Sequence, residues 1–160
     1  MIGTLRLMIL VSAIVLAGSL LSTQPAWASH YDLASVDVVE EDIVAKLGRG
    51  GIRTTEDLWN ETKTARQVTR LAKKLGVSTA KVKDWHDFCD LLRIKGVGPK
   101  VVRVLQLTGV QKISEMAVQD PGKLTARLKT TNTQYQILGK LPDDDSVRAW
   151  IDQARQMTKK

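Results

Sequence analysis

A single cysteine, Cys89, stands among 160 residues, so an internal disulfide is excluded and side-chain packing alone must hold the fold. Apolar–polar alternation never runs beyond a few residues, which removes a sheet and leaves an all-α class. Only 4% of the residues are aromatic, and nothing in their arrangement suggests the shaped pocket that extrudes a base from a duplex. The chain contains no nucleophile beside a base, no phosphate-cradling P-loop and no dinucleotide fingerprint. The one long apolar run, Leu7 to Leu21, is shorter than the ~20 residues of a comfortable membrane span.

That run belongs to a distinct leading segment. Residues 1–28 carry one charge, Arg6, then the apolar run, then Pro25-Ala26-Trp27-Ala28. A positive start, an apolar centre and small residues at Ala26 and Ala28 predict a secretory signal cut after Ala28, with an uncleaved anchor as the alternative. The tryptophan in this small-residue site resembles signals from cyanobacteria, which adds the thylakoid lumen to the periplasm as a destination. Loss of Arg6 lowers the formal charge from +7 to +6. About 130 residues remain, enough for one compact core. Moderate basicity with interspersed acids suits a protein with a basic face.

The rest of the chain, 29–160, reads as short helices. Thr64 and Gln67 form a capping box ahead of Val68, Leu71, Ala72 and Leu75, and Gly76 ends the run. Ser78 caps the next helix, whose apolar stripe is Val82, Trp85, Cys89 and Leu92. Cys89 on that stripe reads as a small buried thiol, and the nearby His86 and Asp90 lack the further partner a zinc site needs. Asp120-Pro121 opens another helix through Leu124 and Leu128. Asp143, Asp144 and Asp145 precede the last, which carries Val147, Trp150, Ile151, Ala154 and Met157 on one face. Those acids suit a helix start better than a calcium loop, whose spaced ligands and glycine are absent.

The sequence also repeats. Gly51-Ile52-Arg53-Thr54-Thr55-Glu56-Asp57-Leu58 aligns with Gly109-Val110-Gln111-Lys112-Ile113-Ser114-Glu115-Met116 at an offset of 58. Val82 to Asp87 aligns with Val147 to Asp152 at an offset of 65. Two helix-hairpin-helix halves, about 31–93 and 94–157, are therefore expected to share one core, with Trp59, Trp85 and Trp150 as its largest pieces.

The halves differ where chemistry is concerned. Ile94-Lys95-Gly96-Val97-Gly98-Pro99-Lys100 is the pattern of a helix-hairpin-helix turn. Glycines at 96 and 98 can take positive φ and carry no Cβ, so a phosphate or another backbone can approach closely. Pro99 presets the next helix, whose N-terminal N–H groups attract an anion. Lys95, Gly96, Val97, Gly98, Lys100 and Arg103 thus form the candidate site for a nucleic-acid backbone, and such binding ignores base sequence. The first hairpin has Val38, Glu40, Glu41 and Asp42 at the matching positions. Both glycines are gone and the acids repel a phosphate.

From about Tyr31 to Met157 the chain resembles the DUF 4332 family, a domain of unknown function built from two helix-hairpin-helix units. The matching pieces are Gly51-Ile52 with Glu56-Asp57-Leu58, Leu92 to Pro99, and Leu141-Pro142 with Val147 to Ile151. The resemblance implies the fold and a nucleic-acid role, but no established activity. Resemblance to the motif also implies that the turn's carbonyls can hold a monovalent cation. No other cofactor, no metal and no small-molecule substrate is expected. DNA glycosylases with this hairpin place a lysine and an aspartate as Lys100 and Asp120 stand here. Asp120 reads as an ordinary helix cap, and the expected protein is a non-catalytic binding module. The alternative is protein docking, as an extrinsic or assembly subunit of a membrane-associated complex, because glycine hairpins permit close helix packing as readily as phosphate approach.

Overall fold

The computed structural model describes residues 30–159, and the expected signal at 1–28 lies outside them. Among the described residues the fold is all-α. It begins with an extended stretch in which Leu33 N–H donates to the Arg53 carbonyl at 2.8 Å and Thr55 N–H to the Tyr31 carbonyl at 2.9 Å. A 3-10 turn at Leu33–Ser35 follows. Eight helices then succeed one another: α1 (Glu41–Arg49), α2 (Thr55–Asn60), α3 (Ala65–Leu75), α4 (Thr79–Leu91), α5 (Pro99–Leu107), α6 (Ile113–Ala117), α7 (Pro121–Tyr135) and α8 (Asp144–Thr158). No helix among the described residues is long and apolar enough to cross a membrane.

Local chemistry sets most of these boundaries. Thr64 Oγ1 accepts from Gln67 N–H while the Gln67 side chain accepts from Thr64 N–H, closing the capping box of α3. Gly76 ends that helix at φ 73°, a left-handed position that costs a residue with a Cβ about 1–2 kcal/mol. Ser78, Asp120 and Asp143 each cap the helix that follows, through Lys81, Lys123 and Ser146 N–H respectively. A second capping box joins Thr54 and Asp57 at the start of α2, a pattern of the same three-residue reach as that of Thr64 and Gln67.

The helix starts of the two runs lie at similar but unequal separations. Residue 41 of α1 and 99 of α5 are 58 apart, as are 55 of α2 and 113 of α6, while 79 of α4 and 144 of α8 are 65 apart. Residue 65 of α3 and 121 of α7 are 56 apart, and these two helices differ in length, with 11 and 15 residues. α2 and α3 pack on α4, and α6 and α7 pack on α8. One continuous apolar core runs through all of them, from Leu33 to Ala154.

Trp85 and Trp150 are buried in that core, but Trp59 is a correction to the sequence reading. It is half-buried, its Nε1 donates to Asp90 Oδ1 at 3.1 Å, and the cations of Lys63 and Arg93 lie about 4 Å from its ring centre. An indole with a partner for its N–H and cations over its ring is held at the rim of a core rather than in it.

Candidate nucleic-acid interface

The second hairpin is fastened from below before its surface is free to bind anything. Ile94 and Val97 are buried, and Val97 N–H donates to the Ile94 carbonyl at 3.0 Å. Gln153 of α8 accepts from Lys95 N–H at 2.9 Å and donates back to the Lys95 carbonyl at 3.4 Å. Of the candidate residues, Val97 is thus an anchor whose N–H is already used. Lys95, Lys100 and Arg103 are exposed.

The two glycines do different jobs. Gly96 has φ 87°, and a Cβ there would lie 3.2 Å from Trp150 Nε1. Gly98 is extended, with φ −98°, and so does not use the positive φ open to a glycine. It serves as the N-cap of α5, and a Cβ there would meet the Tyr31 hydroxyl at 3.5 Å. The close approach that glycine permits is therefore shared with the protein's own Trp150 and Tyr31.

The start of α5 remains electrostatically open. Gly98 offers no side-chain cap, and the first turn holds no acid. The first N–H groups of any helix lack intrahelical acceptors and carry its partial positive charge. Lys100 N–H is among them and finds no acceptor among the described residues. The start of α1 is the opposite case, with Glu41 and Asp42 in the first turn. Glu40 there pairs with Lys81 of α4, and that hydrogen bond holds the Glu40 carboxyl below its ordinary range.

Arg103 is only partly available. Its guanidinium donates to the Asp37 carbonyl and lies 5.7 Å from the Phe88 ring centre. Those bonds turn it away from the hairpin tip and toward a groove beside α5. Tyr31 and Gln153 were not legible as site residues, because each reaches the turn from more than fifty residues away without any periodic signal.

The other sequence candidates have structural partners. Cys89 is buried, and burial followed by the charge of Asp90 pushes its thiol up to about 12. Thr62 Oγ1 donates to the Leu58 carbonyl at 2.6 Å, which spends its only proton. Its 2.9 Å contact with His86 Nδ1 must then be donated by the ring, leaving Nε2 bare in the neutral form. Asp120 Oδ1 accepts from Lys123 N–H at 2.9 Å.

The model of the family described as Domain of unknown function (DUF4332) matches residues 38–157, and the chain belongs to that family. No curated protein and no solved structure matches it.

Proposed function

We propose that this family member is a non-catalytic module that binds a nucleic-acid backbone, independent of sequence, through its second hairpin. The observation that carries the reading is the contrast between two helix starts 58 residues apart. α5 opens on a glycine cap without acids, between exposed Lys95 and Lys100, whereas α1 opens on Glu40, Glu41 and Asp42. A phosphate at Gly98 would find Lys100 N–H, the positive end of α5 and two lysines. The Tyr31 hydroxyl adds a donor beside Gly98. The proposal includes export to the periplasm or thylakoid lumen, where the partner is extracellular or released DNA.

The test is fluorescence anisotropy on labelled duplexes of unrelated sequence over a salt series. Lys95→Glu and Lys100→Glu should weaken binding equally on every duplex, and each should flatten the log–log salt slope by about one unit. Glu40→Lys, on the first hairpin, should leave binding unchanged or strengthen it slightly. Protein that ignores DNA even at low salt would overturn the reading.

A further inference from the structure

The groove beside α5 has a volume of about 890 Å3 and runs from the hairpin residues Pro99 and Lys100 along the helix to Leu107. Its long wall is one face of α5, with Pro99, Arg103 and Leu107 at helical spacing. Val102 and Leu105, on the opposite side of the same helix, are fully buried. The nine residues from Pro99 to Leu107 rise through about 12 Å, or just over two helical turns. Ile137 adds half-buried apolar surface, and the buried side chains of Val36 and Phe88 close the floor beneath it. Leu107 is 48% exposed, an unusual position for a large aliphatic side chain on an otherwise well-packed helix.

Charge is distributed unevenly along this groove. Lys100 stands in the first turn of α5, where its charge adds to the positive end of the helix, and Arg103 follows about one turn further on. Leu107 and Ile137 contribute apolar surface, Leu107 at the far end of α5. Asp37 is the one acid in the lining, and its backbone carbonyl already holds Arg103. A phosphate backbone gains nothing from the apolar part. A partner with apolar anchors and a carboxylate at one end satisfies the whole length.

We infer that this groove docks an acidic amphipathic helix of a partner protein. Apolar side chains spaced i, i+3 or i+4, and i+7 cover about two turns, which matches the length of the α5 face. Its acidic end lies against Lys100 and Arg103, and its apolar row against Leu107 and Ile137. The inference shares Lys100 and Arg103 with the DNA reading and parts from it at two residues: Leu107 lines the groove and lies outside the hairpin site, while Lys95 belongs to the hairpin site and does not line the groove.

A displayed library of helical peptides, selected on the purified protein, tests this directly. Enriched peptides should carry the i, i+3/i+4, i+7 apolar row with Asp or Glu toward one end. Measured by anisotropy, Leu107→Asp should weaken them about tenfold or more, as loss of a central apolar anchor does. Lys100→Glu should weaken them and reduce their salt dependence, while Lys95→Glu should leave them unchanged. Gln106→Glu, on the groove wall, should also weaken acidic peptides and serves if Leu107→Asp melts early. Enrichment of basic peptides, no enrichment, or binding indifferent to both groove variants would overturn the inference. So would sedimentation showing that the groove is filled by a second copy of the chain.

Discussion

His86 combines a fixed tautomer with an environment that disfavours its charge. Burial lowers its pKa below 6.5, and Lys83 and Arg93 act in the same direction, against the opposing pull of Asp90 and Asp87. The folded state therefore prefers the neutral ring. As pH falls through about 6.5 the unfolded chain takes up the proton first. Stability present above that pH is lost as pH drops toward the lowered native value. Every tenfold difference in proton affinity between the two states is worth about 1.4 kcal/mol. Urea denaturation at pH 7.5 and pH 5 should show this loss in the wild type. His86→Asn keeps a donor for Thr62 but cannot titrate, so its pH dependence over that interval should be flatter. Equal slopes in the two proteins would show that His86 carries no such linkage.

At the scale of elements, what was legible followed from how far each signal travels along the chain. Thr64 with Gln67, Ser78, Asp120 and Asp143 act on N–H groups three residues on, so their helices were readable in advance. The same holds for the hairpin residues Lys95 to Lys100, whose chemistry is contiguous. The start of α6 was not readable, because Lys112 supplies no cap and Ile113 N–H turns instead to Asp90 Oδ2 at 3.4 Å. Trp59 was misplaced for the same reason, since its partner Asp90 lies thirty-one residues away. Asp90 also binds Arg93 at 2.7 Å, so one carboxylate ties α2, α4 and α6 together. Asp90→Ala would leave the half-buried Trp59 N–H without its acceptor and the start of α6 without a cap. A loss of about 1–3 kcal/mol is expected by thermal or chemical melting. Asp90→Asn retains an acceptor and should lose less. An alanine variant as stable as the wild type would reduce this junction to incidental contact.

The whole molecule poses the question of whether two similar runs of helices make one folding unit. α2 and α3 pack on α4, and α6 and α7 on α8, which taken alone describes two small bundles. The bonds between them argue otherwise. Arg103 of α5 lies over Phe88 of α4 and donates to the Asp37 carbonyl, and Asp90 of α4 reaches the start of α6. Phe88, Leu91 and Leu92 are buried at 2% exposure or less. A first half isolated at residue 93 would uncover some of that surface, and fully exposing even one such side chain costs about 1.5–3 kcal/mol. Total stability for a domain is only about 5–15 kcal/mol, so neither half has much in reserve. We expect a single cooperative transition in urea. Among the described residues, Trp150→Phe leaves only Trp59 and Trp85, both in the first run of helices, and the double variant Trp59→Phe/Trp85→Phe leaves only Trp150, in the second. In each variant the fluorescence transition should coincide with that of helical circular dichroism. Two separated midpoints, with the fluorescence of one variant following the first and of the other following the second, would mean that the halves fold independently and that the groove between Asp37 and α5 opens without unfolding either.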